Sequence, residues 1–284
     1  MTRALWIGDP GLLASVQDLG RPGYARVGVS RGGAADRGAL RLANRLVGNP
    51  ESAAAIEITA GGFVATAEST LLIAVTGALG PVTVGGRAVG TCAPTYLAHG
   101  SPLVIGRPTH GLRSYLAVAG GVDTEPILGS RSYSALGGLG MPLAAGSRVP
   151  IGPTRVAHPV HDHAPTPAPA LRHTHLTGTL GPRAEYVGSP ALRALLAATF
   201  TVTTDLNRTG IRLDGPPLPV ADLAELPSEG MVRGAVQIPP AGCPIIFLSD
   251  HPATGGYPVP FVLTEAATDV AAQLVPGMTV RFIE

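Results

Sequence analysis

The segment at positions 15–36 gathers one amide, two carboxylates and several arginines in a glycine-punctuated sequence. An arginine presents a planar fork of N–H donors that matches a carboxylate or phosphate, and glycines let the backbone approach a ligand closely. The pattern predicts a site for a small anionic or amide ligand, in which Asp18 and Arg21 are catalytic and Gln17 and Asp36 bind substrate. In the structural alternative, Asp18 and Arg21 form a local ion pair within a turn, and Asp36 caps a helix.

A second segment places a carboxylate beside a glycine and an amide in the apolar run that follows. Glu229 precedes Gly230, and Gln237 lies within Ala-Val-Gln-Ile. A carboxylate at a loop end can act as a general base or a substrate ligand, and an amide can bind substrate or neighbouring backbone. We predict that Glu229 is catalytic and that Gln237 binds substrate. The alternative is a solvated turn.

A third segment is a Thr-Gly-Gly-Tyr turn directly after the apolar run 245–248. A threonine hydroxyl can donate a hydrogen bond, and a tyrosine can stack or donate. We therefore predict that Thr254, Gly256 and Tyr257 bind substrate, against the alternative of a tight turn that needs two glycines. Arg208, within Asn-Arg-Thr-Gly, is a further candidate anion ligand, against the alternative of an exposed turn.

Composition excludes several kinds of chemistry. The 284 residues carry 20 basic and 19 acidic side chains, and every one of the 20 is arginine. Without lysine, this chain has no Schiff-base nucleophile, pyridoxal anchor, P-loop lysine or biotinylated lysine. A net charge of +1 disfavours nucleic-acid binding. His158, His161 and His163 lie in proline-rich sequence without a helix or knuckle to hold them, so we expect no metal site.

The abundance of turn-forming residues favours β structure. With 38 glycines and 28 prolines, the chain should have short elements and frequent reversals. We predict a mainly β protein with two β-barrel-like halves and a few short helices. The proline-rich stretch 153–170 is the expected surface linker between an N-terminal domain, 1–152, and a C-terminal domain, 171–284.

Local patterns place individual elements. A helix is expected over 36–47, capped by Asp36, and another over 190–198, with Ser189 as cap and Pro190 as the first helical residue. Short apolar runs bounded by glycine or proline predict strands. These runs cover 71–76, 82–84, 103–105, 114–119, 174–176, 199–203, 236–238, 245–248 and 279–283.

The N-terminus and the apolar runs bear on location. Asp9 and Asp18 do not fit a signal peptide, and no apolar run reaches the roughly 18 residues of a membrane span. We therefore expect a cytoplasmic protein with no membrane partner.

Seven segments, in order along almost the whole chain, carry a family resemblance. They are SVQDLGRPGYARVGV at 15–29 with Asp36 downstream, LRLANRLVGNP at 40–50, AIEIT at 55–59, RSYLAVAGGVD at 113–123, LGSRS at 128–132, SEGMVRGAVQIPPAGCPII at 228–246 and ATGGYP at 253–258. Together they resemble the carboxyltransferase-type family that includes the C subunit of 5-oxoprolinase, allophanate hydrolase subunit 2 and the C-terminal carboxyltransferase region of urea carboxylase. A bacterial sporulation-kinase regulator belongs to the same family.

The resemblance implies a cyclophilin-like β-barrel fold in both halves. It also implies a partner of related fold, like the B subunit of 5-oxoprolinase or allophanate hydrolase subunit 1, in a heterodimer or larger assembly. The implied reaction is ATP-driven hydrolysis of 5-oxoproline to glutamate, which needs a third subunit, with ATP bound by or shared with the partner. The implied site positions are Gln17, Asp18, Arg21, Asp36, Glu229, Gln237, Thr254, Gly256 and Tyr257.

Two other functions stay open. One is a regulatory protein that sequesters a related partner, and the other is a urea carboxyltransferase component that uses biotin. The chain also departs from the family at 250–257, where Asp-His-Pro-Ala-Thr-Gly-Gly-Tyr replaces Asp-Arg-Gln-Thr-Thr-Gly-Gly-Tyr. The loss of an arginine and a glutamine there bears on which substrate is bound.

Overall fold

The computed structural model describes residues 3–154, 162–166, 168, 171–220 and 226–284. The chain divides into two compact units, one of Met1–Arg21 with Gly32–Pro169 and the other of Pro22–Arg31 with Ala170–Glu284. The segment Pro22–Arg31 groups with the second unit, which a linear division of the chain does not anticipate. His158 and His161 lie outside the described residues. The described positions of the expected linker carry no helix or strand, and the boundaries at 152 and 171 stay a prediction.

The first unit builds two antiparallel sheets from its described strands. One sheet has the order β11-β1-β4-β9-β6-β7 and the other β2-β3-β10-β5-β8. The strands are β1 Ala4–Pro10, β2 Leu13–Gln17, β3 Ala55–Thr59, β4 Phe63–Ala67, β5 Leu71–Leu79, β6 Val82–Val84, β7 Arg87–Val89, β8 Pro94–Leu97, β9 Pro102–Ile105, β10 His110–Val118 and β11 Arg148–Pro150.

Both faces of the five-stranded sheet are buried, because successive side chains of a strand point to opposite faces. On β3, Ile56 and Ile58 belong to the core shared with the other sheet. Ala55 belongs to a second core formed with helix α1, Arg37–Leu46, which packs Leu40 against it. This helix is the one predicted at 36–47, and the Asp36 side chain caps it by accepting from Ala39 N–H at 2.8 Å.

The second unit contains a closed barrel of order β12-β19-β16-β17-β14-β13-β20, which confirms the prediction of barrel structure in this half. β12 and β20 pair in parallel, and the other barrel neighbours pair antiparallel. In its core the Phe282 ring lies 6.0 Å from Phe200 and 5.7 Å from Phe261, between centroids. The described strands of this unit are β12 His173–Leu180, β13 Phe200–Leu206, β14 Gly210–Asp214, β15 Glu229–Gly230, β16 Ala235–Gln237, β17 Ile245–Phe247, β18 Thr254–Gly255, β19 Phe261–Leu263 and β20 Thr279–Ile283. Of these, β15 and β18 form a separate two-stranded ribbon.

Among the described residues, two α-helices accompany the barrel strands. Helix α2 spans Ala184–Ala197 but is interrupted at Gly188, whose φ of 76° and ψ of 159° are not helical. Its second part is the helix predicted at 190–198. The helical turn before Gly188 was not predicted. Helix α3 spans Glu265–Ala271 and is capped by the Thr264 hydroxyl. No helix within the described ranges has the length and apolar character needed to cross a membrane.

Candidate active site

Asp18 directly follows β2, and donors from the protein fill its carboxylate. Its Oδ1 accepts from Gly20 N–H at 2.7 Å and from the Ser130 and Ser132 hydroxyls at 2.6 Å each. Its Oδ2 accepts from Arg131 N–H at 2.7 Å. A carboxylate that accepts four hydrogen bonds has little capacity left for a substrate. This geometry favours a positioning role for Asp18 over the predicted catalytic one.

Arg21 is fully buried and binds the same loop. Its Nε donates to the Ile127 carbonyl at 3.3 Å, and its Nη2 donates to the Ser132 carbonyl. Between these anchors, Leu128 has a φ of 52°, in the left-handed region that residues other than glycine rarely adopt. The guanidinium thus stabilises a strained turn, so Arg21, also predicted as catalytic, contributes to the shape of this loop.

Gln17, predicted to bind substrate, is fully buried on β2. Its Nε2 donates to Ser15 Oγ at 3.0 Å and to the Tyr133 carbonyl at 3.1 Å. Because a carbonyl only accepts, the contact with Tyr133 fixes which end of the amide is the nitrogen. The amide oxygen has no hydrogen-bond partner among the described residues. Gln17 therefore retains an unused acceptor, but the side chain is enclosed by the protein and the oxygen does not reach the surface.

A row of buried polar side chains, not predicted from the sequence, crosses the five-stranded sheet. Ser15, Glu57, Tyr115 and Thr76 are direct neighbours on β2, β3, β10 and β5. Each is at most 1% exposed. The Tyr115 hydroxyl donates to Glu57 Oε2 at 2.7 Å, and the Thr76 hydroxyl donates to the Ala39 carbonyl of α1 at 2.7 Å. The row therefore links the sheet to the helix that covers it.

The same row binds the start of α1. The Tyr115 hydroxyl accepts from Asp36 N–H at 2.7 Å, and Glu57 Oε2 accepts from Ala35 N–H at 2.9 Å. Arg113 Nε lies 3.9 Å from Glu57 Oε1. Asp36, predicted as a substrate ligand, thus lies at the helix start as its cap, which was the structural alternative.

Burial, followed by the nearby carboxylates of Glu57 and Asp36, holds the pKa of Tyr115 well above its ordinary value. The phenol therefore stays protonated and keeps its donor to Glu57. The signal for this cluster in the sequence was the occurrence of Glu57 and Tyr115 within otherwise apolar strands, since a buried polar group needs a partner.

The second unit joins two of the predicted segments in a two-stranded ribbon. Glu229 of β15 pairs with Gly255 of β18, and Gly230 pairs with Thr254. Met231 N–H extends the ribbon by donating to the Ala253 carbonyl at 2.9 Å. The predicted catalytic carboxylate and the Thr-Gly-Gly-Tyr turn are therefore adjacent.

The barrel strand β16 contributes the predicted amide. Gln237 is buried, and its Nε2 donates to the Tyr257 carbonyl at 3.0 Å. A Cβ on Gly255 would lie 2.9 Å from this nitrogen, so the glycine permits the close approach. The Tyr257 side chain is 46% exposed. The structure thus brings together five predicted residues in the second unit: Glu229, Gln237, Thr254, Gly256 and Tyr257.

Glu229 is paired with Arg183, a residue that was not predicted. Arg183 Nε lies 3.1 Å from Glu229 Oε2, and its Nη2 donates to Oε1. The hydrogen bonds from Arg183 lower the pKa of Glu229 below its ordinary value. The carboxylate is therefore ionised at neutral pH and can accept a hydrogen bond or a proton. Arg183 follows β12 in a Gly-Pro-Arg sequence, which carries no signal for such a role.

Arg208, the other predicted anion ligand, is buried against Asp250. Its Nε lies 3.0 Å from Asp250 Oδ2 and its Nη2 lies 3.3 Å from Oδ1. Asp250 N–H in turn donates to the Arg208 carbonyl at 2.9 Å. This paired fork favours a structural role for Arg208, as the anchor of the loop that leads to Tyr257.

Two histidine regions remain to be placed. In the loop after Asp250, the Nδ1 atom of buried His251 lies 2.7 Å from the Pro252 carbonyl, which requires the proton on Nδ1. His163 is exposed. Within the described part of the chain, no three His, Cys, Asp or Glu residues are grouped so as to hold a metal ion.

Comparisons with known proteins cover nearly the full chain. Residues 27–284 match the family described as carboxyltransferase domain, subdomain A and B. The chain is similar to the C subunit of 5-oxoprolinase from Escherichia coli (strain K12), with 36% identity over 278 residues that cover 96% of this chain and 89% of that protein. It is also similar to urea amidolyase of Lachancea kluyveri, with 30% identity over 99% of this chain but 17% of that protein. The crystal structure of TTHA0988 matches all of this chain with a TM-score of 0.92 and 33% identity, and this chain spans 56% of that one.

Proposed function

Because the chain belongs to the carboxyltransferase domain A and B family, as its seven segments predicted, we propose that it is one subunit of a heteromeric, ATP-dependent amidohydrolase that converts 5-oxoproline to glutamate. The observation that carries this proposal is the 36% identity to the C subunit of 5-oxoprolinase over 89% of that protein's length. Urea amidolyase gives less support, because the chain matches only 17% of it.

The second-unit cluster has the groups that opening of a cyclic amide needs. Water must add to the carbonyl carbon, and the C–N bond must then break with protonation of the nitrogen. The Glu229 carboxylate can take the proton of the attacking water or accept the amide N–H. The Tyr257 hydroxyl, on an exposed side chain, can donate to the carbonyl oxygen as negative charge develops on it. Thr254 precedes Gly255, the residue paired with Glu229, so its side chain points to the opposite face of the ribbon.

We propose that ATP is bound by or shared with a partner chain. A helix N-terminus can bind a phosphate, but at the start of α1 the Asp36 carboxylate already accepts from Ala39 N–H. Glu57 adds a second carboxylate there. The proposed partner is a related carboxyltransferase-type chain, which fits the designation of the Escherichia coli relative as one lettered subunit of its enzyme.

Co-expression of the chain with a candidate carboxyltransferase-type partner and with the third chain of a 5-oxoprolinase tests the proposal. The purified complex is incubated with 5-oxoproline, with and without ATP, and glutamate release is measured. We expect release only with ATP and only from the complete complex. Biotin-dependent carboxylation of urea would instead support the carboxyltransferase alternative, and a tight complex inactive on both substrates would support the regulatory one.

A further inference from the structure

Arg183 connects three parts of the second unit. It is the N-cap residue of α2, and its side chain makes no capping hydrogen bond. Its backbone N–H donates to the Val259 carbonyl at 3.3 Å, just beyond the loop that carries Thr254 and Tyr257. Its guanidinium meets Glu229 through two parallel contacts. Arg183 is therefore fixed by the backbone at one end and by a carboxylate at the other.

Glu229 needs such a support, because its own strand is short. β15 contains two residues, and the residue paired with Glu229 across the ribbon is Gly255, which has no side chain to orient a carboxylate. A two-point contact between a guanidinium and a carboxylate fixes direction as well as distance. The carboxylate remains 34% exposed while held in this way, so it is open to a ligand.

We propose that Arg183 is a positioning residue for the hydrolytic reaction: it fixes the Glu229 carboxylate beside the Thr254–Tyr257 loop, where that carboxylate accepts the N–H of the substrate amide or the proton of the attacking water. This inference rests on the proposed function. It adds a residue that does not touch the reacting atoms but sets the orientation and charge of the one that does.

A purely structural reading of the pair gives a different expectation. A half-exposed ion pair contributes little to stability and carries no consequence for the pH dependence of a reaction. If Arg183 positions Glu229, by contrast, its removal changes the pH dependence of the reaction. Among the described residues, Arg183 acts on the charge of Glu229, and Tyr186 on α2 interacts with Arg183. Because Arg183 lowers the pKa of Glu229, removing its charge raises that pKa, and the carboxylate then becomes protonated at a higher pH than in the wild type.

The test uses Arg183→Gln and Arg183→Lys in the complete complex. We expect Arg183→Gln to lower kcat by about tenfold or more in mildly acidic solution and to move the acid limb of the kcat profile to higher pH. Arg183→Lys restores the charge but not the two-point contact, so it should recover the acid limb while kcat stays reduced. An unchanged acid limb, or an equal loss at every pH in both variants, would overturn the proposal.

Arg148→Gln is the matched control. Arg148 binds Glu68 in the first unit in the same two-point manner, with Nε–Oε1 at 2.9 Å and Nη2–Oε2 at 2.6 Å. Its side chain is 37% exposed, against 38% for Arg183. Because this pair lies outside the proposed machinery, the variant should leave kcat and the pH profile unchanged, and a matching shift there would contradict the assignment.

A titration separates failure of this inference from failure of the proposed function. The Glu229 carboxyl is followed by NMR in the full chain labelled with ¹³C at its nine glutamates, and its signal is assigned with Glu229→Gln. Arg183→Gln should raise the pH at which Glu229 titrates, whatever reaction the complex catalyses. An inactive wild-type complex would sink the proposed function, whereas an unchanged titration would sink the role of Arg183.

Discussion

Asp18 and Glu229, the two carboxylates predicted to be catalytic, occupy opposite environments. Asp18 is buried in the first unit and accepts four hydrogen bonds, all from the protein. Glu229 in the second unit is one-third exposed and is held by the guanidinium of Arg183. The same residue chemistry thus stabilises a loop in one unit and stays available to a ligand in the other. Burial and the number of donors, rather than residue type, separate the two roles.

Asp18→Ala should have the largest effect on stability. Loss of the carboxylate leaves the Ser130 and Ser132 hydroxyls and two backbone N–H groups without their acceptor. Each unsatisfied buried donor costs about 1–3 kcal/mol, so we expect the free energy of unfolding to fall by about 4 kcal/mol. Asp9→Ala is the control, because Asp9 accepts a single bond, from Gly11 N–H, at an exposed position. Equal stability of the two variants in urea unfolding would contradict the structural role of Asp18.

Arg208→Ala should have the next largest effect. It leaves Asp250, 1% exposed, without its guanidinium partner, and an uncompensated buried charge costs about 3 kcal/mol. Arg212→Ala breaks the exposed pair with Asp205, whose contact is 2.6 Å, and should cost less than about 1 kcal/mol. The free energies of unfolding of both variants are measured in urea and compared with that of the wild type. If Arg208→Ala were as stable as Arg212→Ala, Arg208 would not be a structural anchor.

Tyr115→Phe should have a smaller, pH-dependent effect. The variant loses the hydroxyl between Glu57 and Asp36 N–H, so we expect a loss of about 1–2 kcal/mol at pH 7. Because the folded pKa of Tyr115 is raised, the unfolded chain releases this proton first, and stability falls as pH rises above about 10. Phenylalanine has no such proton, so the stability difference should narrow there. A stability difference between wild type and Tyr115→Phe that stays constant with pH would argue against a buried, protonated Tyr115. Tyr96→Phe, at a half-exposed ring, is the control for loss of a tyrosine.

Local sequence signals were sufficient for much of the fold. The helix over 36–47 and its Asp36 cap are confirmed, because the cap, the apolar spacing and the Gly-Asn-Pro stop all agree. The strand predicted at 82–84 coincides with β6, and that at 279–283 with β20. The grouping of Pro22–Arg31 with the second unit could not be predicted, since it depends on long-range contacts that leave no local pattern.

The candidate site was predicted by residue type but not by role. The segments that carry Glu229, Thr254 and Gln237 do lie together, because glycine-rich turns at strand ends bring them side by side. The buried row through Glu57 and Tyr115 was missed because it depends on the strand register between β3 and β10. Arg183 was missed for a similar reason: its partner lies 46 positions away, and nothing near Arg183 in the sequence points to it.

If Glu229 contributes chemistry to the reaction of the assembled complex, as we claim, the variant Glu229→Gln should reveal it. Glutamine has nearly the same shape but no negative charge, so assembly and the urea unfolding midpoint should match those of the wild type. ATP-dependent glutamate release from 5-oxoproline, measured at equal complex concentration, should fall by at least about tenfold. Release at the wild-type rate from the Glu229→Gln complex would contradict the claim.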